Sequence, residues 1–174
     1  MARLESELLN YESLYTKNGV LVNEFGIEDP DKLEKVEREI TTFRLSKLYL
    51  DPGKQTFDVE HYLGIHKYLF DGIYSFAGEI RNENIKKRIP FCLPQLVYDN
   101  LKYTLDNARN KIRRLTDIDK LISFLPSLYS DLDVIHPFRE GNGRTEREFI
   151  RQYIDVVCKI NNLGSYELDF GFYD

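Results

Sequence analysis

The chain has 174 residues, a net charge of −5 and 42% hydrophobic residues, which is the size of one domain with enough apolar side chains for a core. Its charges are interspersed and not basic overall, so we expect neither a nucleic-acid partner nor a membrane partner. Cys92 and Cys158 lie too far apart for a disulfide framework or a zinc set. This cysteine usage makes a reducing cytoplasm the default expectation. Residues 1–10 are polar and no apolar run is long enough to cross a membrane, so the sequence predicts neither a signal peptide nor a membrane-spanning helix.

Apolar residues recur at helical spacing in five stretches, which predicts a mostly α-helical fold. The predicted helices cover residues 30–50, 58–75, 94–113, 117–134 and a final stretch from a charged turn to residues 161–164. The residues at the expected caps are Asp29, Asp58, Thr116, Asp117 and, after the last helix, Gly164. Residues 1–28 lack a clean period and are expected to be irregular. We predict one domain, residues 1–174, built as a single helical bundle with a small β-hairpin flap.

Residues 79–93 lose the helical period and are expected to form the flap between two helices. Ile85 and Phe91 are separated by polar residues, and the asparagines nearby favour turns. The segment is also basic, since it includes Arg81, Lys86, Lys87 and Arg88. Two interpretations remain open, a solvated loop or a flap that covers a ligand or docks an extended peptide.

Twelve residues between the last two helices, His136 to Arg147, carry more chemistry than a chain reversal needs. The Gly141-Asn142-Gly143 segment opens the last helix, where backbone N–H groups lack internal partners and the helix dipole adds positive charge. Glycines let an anion approach these groups closely and allow a positive φ. No Gly-Lys-Ser/Thr follows, so this is not a P-loop. The turn is therefore predicted to bind phosphate.

Arg144 and Arg147 lie three residues apart and share one face of the first turn of the helix. Cations at a helix N-terminus oppose the dipole, so two arginines there indicate an anionic partner, most simply a polyphosphate. Glu140 would repel that partner unless a divalent cation bridged them, and Mg²⁺ bound by one carboxylate and phosphate oxygens fits. The alternative is a structural salt bridge among the three residues, which leaves the Gly-Asn-Gly segment unexplained.

His136 stands at the end of the preceding helix, beside the predicted phosphate site. An imidazole ionises at about pH 6.5, which suits a general base that deprotonates an attacking hydroxyl. The alternative is a structural histidine at a helix end. His61 and His66 do not compete, because their five-residue spacing places them on different faces of a helix and prevents a shared metal. We expect one of them to pack in the core and the other to lie at the surface.

The charged turn resembles the motif of Fic domains, H-x-F-x-[D/E]-G-N-G-R-x-x-R. The matching residues are His136, Phe138, Glu140, Gly141, Asn142, Gly143, Arg144 and Arg147. Residues 23–30, 65–70, 74–78 and 166–170 look like flanking landmarks of bacterial members, so the resemblance covers most of the chain. It implies the Fic fold and a bacterial origin.

The resemblance also implies a protein adenylyltransferase, which moves AMP from ATP to a Tyr, Ser or Thr hydroxyl of a target protein and releases pyrophosphate. By motif position, His136 would be the base and Glu140 would hold Mg²⁺ between phosphates. Asn142 would contact phosphate oxygens within the anion hole. The residues that would bind ATP phosphates are Gly141, Asn142, Gly143, Arg144 and Arg147. The flap residues that would align the target as an added strand are Ile85, Lys86 and Phe91.

One departure from the family concerns inhibition. Many Fic proteins carry a helix with the motif [S/T]-x-x-x-E-[G/N], whose glutamate pairs with the second arginine, here Arg147. The two Glu-Asn or Glu-Gly pairs of this sequence lack Ser or Thr four residues earlier. Either a separate antitoxin-like partner supplies the glutamate, or an inhibitory helix was lost where the chain ends after residues 168–170. Both alternatives stay open.

Two other functions also stay open. The first is a Fic-type transferase with another phosphate-containing donor, although the intact Gly-Asn-Gly segment argues against a kinase-like branch. The second is a regulated or inactive nucleotide-binding domain held by an antitoxin-like partner. A toxin of the bacterial cytoplasm and an effector delivered into a host cell would look alike in this sequence.

Overall fold

The computed structural model describes residues 16–17, 19–87 and 89–166, and this part of the chain is mostly helical. The helices are α1 (Pro30–Leu50), α2 (Val59–Phe70), α3 (Pro94–Lys111), α4 (Ile118–Ile135) and α5 (Asn142–Asn161). A short 3-10 turn, Ile112–Arg114, follows α3. Two strands, β1 (Thr16–Lys17) and β2 (Val20–Leu21), pair as an antiparallel hairpin. The predicted fold class, a helical bundle with one small hairpin, is confirmed.

Helix α5 lies at the centre of the bundle, because α2 and α4 both pack against it while α1 packs on α2 and α3 on α4. Phe149, Tyr153 and Val157 repeat every four residues along α5 and are completely buried. The ring of Tyr62 meets Phe149 edge-on at 5.1 Å, and Phe57 meets it at 5.6 Å. Truncation of one such ring to alanine typically costs about 3–5 kcal/mol. This packing holds the N-terminal end of α5, where the predicted site lies.

The ends of the helices follow the predicted caps with two exceptions. Asp29, Asp58 and Asp117 each accept a hydrogen bond from a backbone N–H three residues later, as expected of N-caps. Helix α2 ends at Phe70 and not near residue 75, because the chain turns at Gly72 with φ of +69°. The left-handed residue that ends α5 is Asn162, with φ of +55°, two residues before the predicted Gly164.

The hairpin lies in a different place from the one predicted. It occupies residues 16–21, inside the N-terminal segment that was expected to be irregular. The flap instead forms one isolated antiparallel bridge between Lys86 and Pro90, supported by a 3.2 Å hydrogen bond from the N–H of Phe91 to the carbonyl of Ile85. The flap therefore reverses direction without regular strands. Residues 1–15 of the segment predicted to be irregular, and the tail predicted beyond residue 166, lie outside the described residues.

Within the described ranges, none of the helices is both long enough and apolar enough to cross a membrane.

Candidate active site

The active-site loop, residues 137–141, joins α4 to α5 and is fixed by a buried aromatic ring. Phe138 is fully buried and stacks on the ring of His66, with 3.7 Å between ring centroids, and on Tyr62 at 5.8 Å. Asn142 closes the loop from inside: its Oδ1 accepts from the N–H of Phe138 and its Nδ2 donates to the carbonyl of the same residue, each at 2.8 Å. The Asn142 amide is thus committed to the loop.

His66 supports the loop from helix α2. Its Nδ1 accepts from the N–H of Gly78 at 2.8 Å, so Nε2 carries the proton and donates to the carbonyl of Glu140 at 3.0 Å. Burial lowers the pKa of His66 to about 4, so its ring is neutral. His61 is half-buried and contacts Gln152. Both histidines therefore have packing roles. His66 also binds the backbone of Glu140, the predicted metal ligand, and the sequence did not indicate this contact.

Gly141 is the residue through which the chain enters α5. It adopts φ of +80°, and a Cβ there would lie 2.3 Å from the ring of Phe70, so neither the backbone nor the space tolerates a side chain. No side chain caps α5, and the first N–H groups of a helix have no partner within the helix. At Gly143 a Cβ would lie 3.3 Å from Nη1 of Arg147, so this glycine makes room for the arginine.

The two arginines of the turn have different surroundings. Arg144 forms a salt bridge with Glu37 of α1 at 2.5 Å and lies 3.5 Å from Glu140. Its guanidinium also lies over the ring of Phe70, 4.9 Å from the centroid. For Arg147 we find no salt bridge to any described residue. The predicted alternative, a structural salt bridge among Glu140, Arg144 and Arg147, is therefore present in part, since Glu140 approaches Arg144 and no described residue forms a salt bridge with Arg147.

Glu37 is a site residue that sequence reasoning missed. It is 6% exposed, and the hydroxyl of Tyr74 donates to its Oε2 while Arg144 binds its Oε1. Burial and the hydrogen bond to Glu37 raise the pKa of the Tyr74 hydroxyl. The available signal was spacing, because Glu37 lies midway between Leu33 and Thr41 on the buried face of α1. A carboxylate at such a position indicates a buried cation nearby.

His136 lies under the flap with its ring nearly parallel to that of Phe91, 3.8 Å between centroids and 12° between planes. Its Nδ1 lies 3.2 Å from the carbonyl oxygen of Asp133, which assigns the proton to Nδ1 and leaves the Nε2 lone pair unused. Burial lowers the pKa of His136, and Lys87 and Arg81 lower it further, although Asp133 acts in the opposite direction. The imidazole is therefore neutral near pH 7, as a general base must be.

The flap residues predicted to meet a target differ in what they contact. The Lys86 side chain is exposed to solvent, and Ile85 is half-buried. Phe91 is also half-buried, but its ring covers the imidazole of His136. The flap is anchored behind this ring by a 3.0 Å hydrogen bond from the N–H of Cys92 to the carbonyl of Val134. The structure thus brings the flap and the predicted base together.

Glu146 is a second residue that the sequence did not single out. It is 1% exposed, and its Oε1 has no hydrogen-bond partner among the described residues. Burial, together with the charge of Asp133, raises the pKa of Glu146 to about 9, although Arg147 and Lys87 lower it. This carboxyl group is therefore neutral at pH 7.

Two cavities lie near these elements. One of about 300 Å³ adjoins the site and is lined by Glu34, Glu37, Tyr74, Glu140 and Arg144, among others. A larger groove of about 980 Å³ lies between the C-terminal part of α1 and helix α2, and none of the twelve residues of the turn lines it. The described residues contain no group of three or more His, Cys, Asp or Glu side chains that could hold a metal ion by themselves.

Comparison with known proteins decides the family. The Fic/DOC family matches residues 56–154, which is more than half of the chain and includes the whole active-site turn. The chain belongs to the Fic/DOC family. The predicted resemblance to Fic domains is confirmed.

Several known proteins are similar to this Fic domain. The protein adenylyltransferase VbhT of Bartonella schoenbuchensis is 34% identical over 145 residues, which cover 78% of this chain but 29% of VbhT. The Fic protein of Escherichia coli K12 is 26% identical over 142 residues, 80% of this chain and 70% of that protein. The structure of BepC, a VirB-translocated effector of Bartonella tribocorum with bound AMPPNP, covers 92% of this chain and 82% of its own, with a TM-score of 0.74 and 22% identity. The BepC comparison shows the shared fold.

Proposed function

We propose that this Fic domain is a protein adenylyltransferase, which transfers AMP from ATP to a Tyr, Ser or Thr hydroxyl of a target protein. The observation that carries the proposal is the position of a neutral, half-buried His136 at the other end of the short loop that leads into the uncapped N-terminus of α5. A base and an anion site separated by five loop residues suit the transfer of a phosphoryl-containing group to a hydroxyl. The name of VbhT, a protein adenylyltransferase, and the AMPPNP bound to BepC support this choice of donor.

In the proposed reaction, Nε2 of His136 takes the proton from the acceptor hydroxyl. The acceptor oxygen forms a bond with the α-phosphorus of ATP. The bond between that phosphorus and the oxygen that bridges to the β-phosphorus breaks, and pyrophosphate leaves with the bonding electrons. The target keeps AMP as a phosphodiester, and the proton on His136 passes to solvent or product.

The phosphate contacts are assigned by geometry and by motif position. The first N–H groups of α5, at Asn142 and Gly143, are suited to a phosphate oxygen because no side chain caps the helix. Arg147 is suited to the outer phosphates, because we find it in no salt bridge with a described residue. Arg144 is already bound to Glu37, so a phosphate would compete with this carboxylate for the guanidinium. We therefore propose that Arg144 binds phosphate more weakly than Arg147 does.

Glu140 is the residue that would hold Mg²⁺. Its side chain is 42% exposed and lies beside the proposed phosphate site. Mg²⁺ commonly takes one or two carboxylates and completes its octahedral shell with phosphate oxygens and water, so this donor set fits the ion. When bound, the ion would neutralise charge on the phosphates. Glu140 itself would be held in place by His66, which donates to its carbonyl.

The flap is the proposed docking site for the target chain. The exposed Lys86 and the half-buried Ile85 lie on a segment with one isolated bridge, whose remaining backbone groups suit an added strand. An antitoxin-like partner is a further proposal, since Arg147 would accept a glutamate from outside the chain. Two locations are proposed, the bacterial cytoplasm and a host cell into which the protein is delivered. The second is favoured because BepC is named as a translocated effector protein.

The test is incubation of the protein with lysate and ATP labelled at either the α- or the γ-phosphate. The proposal expects label on protein from α-labelled ATP that is lost in His136→Ala. Label from γ-labelled ATP that also depends on His136 would instead indicate a kinase-like reaction. If neither form labels protein and calorimetry shows no binding of ATP with Mg²⁺, the domain is an inactive binding module and the proposal is wrong.

A further inference from the structure

Arg81 lies at the junction of the flap and the active-site loop and is 2% exposed. Its guanidinium donates four hydrogen bonds, and all four acceptors are backbone carbonyl oxygens. The acceptors are His136 at 2.7 Å, Glu83 at 2.7 Å, Cys92 at 2.6 Å and Ile135 at 3.2 Å. The backbone N–H of Arg81 adds a fifth bond, to the carbonyl of Pro137 at 2.9 Å.

These acceptors belong to parts of the chain that must be aligned for transfer. Ile135 and His136 form the end of α4 and the start of the loop. Glu83 and Cys92 lie in the flap, on either side of the bridge between Lys86 and Pro90. One side chain therefore connects the base to both sides of the flap. Cys92 directly follows Phe91, so the same side chain also anchors the ring that covers the imidazole of His136.

The backbone of His136 needs such support. It adopts the left-handed conformation, with φ of +47° and ψ of +64°. A residue with a Cβ is strained in this conformation, which persists only where the surroundings impose it. The last carbonyl groups of α4 also lack helical partners. Arg81 supplies donors to two of them, and a cation at a helix C-terminus is favourable.

We infer that Arg81 is a positioning residue of the transfer reaction, which holds the left-handed backbone of His136 and so directs its imidazole at the acceptor hydroxyl. The inference rests on the proposed function, since it takes His136 as the base. Lysine cannot replace arginine in this role. A planar guanidinium presents donors in several directions at once, whereas an ammonium group presents its donors from a single atom.

The experiment measures kcat and the KM for ATP in Arg81→Lys and Arg81→Ala. We expect kcat to fall roughly 10²-fold in both, which is the usual effect of a base displaced by about 1 Å. The KM for ATP should change less than about threefold, because the phosphate contacts are not touched. Added methylguanidinium should restore part of kcat in Arg81→Ala but none in Arg81→Lys, whose side chain fills the space.

Arg44→Ala is the matched control. Arg44 also donates from its guanidinium to carbonyls at a helix end, those of Leu69 at 3.0 Å and Asp71 at 2.7 Å, but this is the end of α2. Its loss should lower the melting temperature and leave kcat unchanged. An equal loss of kcat in both arginine variants would mean that any lost helix-end contact impairs the enzyme, and it would overturn the inference.

A second measurement does not depend on turnover. The chain has three histidines, so the ring signals of His136 can be assigned by NMR with His136→Ala as reference. We expect Arg81→Lys to shift the signals of His136 and to leave those of His61 in place. Arg81→Lys keeps the charge, so it serves even where the alanine variant does not fold. A folded Arg81→Lys with unchanged kcat and unchanged His136 signals would overturn the inference.

The outcomes also separate the two proposals. If the wild type does not label protein, or if His136→Ala labels as well as the wild type, the proposed function fails whatever Arg81 does. If labelling depends on His136 but the Arg81 variants keep their kcat, the role of Arg81 alone is wrong.

Discussion

Glu37 of α1 and Arg144 of α5 form a salt bridge across the bundle, and the Glu37 side chain is only 8% exposed. The pair joins the first helix to the N-terminal turn of the last, which carries the proposed phosphate site. The hydroxyl of Tyr74 completes the partners of the carboxylate. Arg144 is thus held before any ligand arrives, whereas Arg147 has no salt bridge with the described residues.

Glu37→Gln should destabilise the protein by about 3 kcal/mol, because the loss of one member of a buried pair leaves the other charge without its counterion. Urea unfolding at neutral pH measures the change. Glu34→Gln is the control, since Glu34 pairs with Arg38 at the surface of the same helix, where the side chains are 64% and 73% exposed. That variant should differ from the wild type by less than about 0.5 kcal/mol. Equal effects would contradict a special role for the buried pair.

Phe91→Ala should move the acid limb of the pH–rate profile to higher pH. Burial under the Phe91 ring lowers the pKa of His136, and removal of the ring lets water reach the imidazole and raises that pKa. Because the base acts in its neutral form, a higher pKa means that activity is lost at a higher pH during acidification. The profile of kcat/KM against pH measures this shift, and Ile89→Ala, an exposed position of the same flap, should leave it unchanged.

Glu146→Gln should weaken the dependence of the free energy of unfolding on pH. Since the pKa of Glu146 is raised to about 9, the folded state keeps its proton while the unfolded state loses it near the ordinary value of 4.5. Stability therefore falls as pH rises between these values, by up to about 1.4 kcal/mol per pH unit. Urea unfolding at about pH 5 and about pH 8 should show this loss in the wild type and a smaller loss in Glu146→Gln. In Glu39→Gln, an exposed position of α1, the loss should match the wild type.

Gly141→Ala should destabilise the protein by about 3 kcal/mol, because a Cβ adds overpacking to left-handed strain. The new atom would lie 2.3 Å from the ring of Phe70. Gly72→Ala is the control, since Gly72 has φ of +69° with nothing within 4 Å of a Cβ, and it should cost about 1 kcal/mol from strain alone. Thermal melting measures both. If Phe70→Leu fails to recover part of the loss in the double variant, the clash with Phe70 is not the cause.

Local signals were sufficient for most helix boundaries. Asp29, Asp58 and Asp117 were predicted as caps and act as caps, because a side chain that reaches a backbone N–H three residues later depends on little else. Apolar periodicity likewise located the buried face of α5. Two helix ends were predicted wrongly, and the reason is also local. Several turn residues follow α2 and α5, and the sequence did not show which of them ends α2 at Phe70 or takes the left-handed conformation at Asn162. Strand pairing was misplaced because such short strands carry almost no sequence signal.

The twelve residues from His136 to Arg147 were identified by the sequence alone, because a contiguous motif keeps its spacing whatever surrounds it. Only the tertiary structure decided how these residues differ in use. Glu37 reaches Arg144 across 107 positions of the chain, and Arg81 reaches the carbonyl of His136 across 55. Partners this distant are selected by how the helices and the flap pack, and packing is a property of the whole folded chain and not of any one segment.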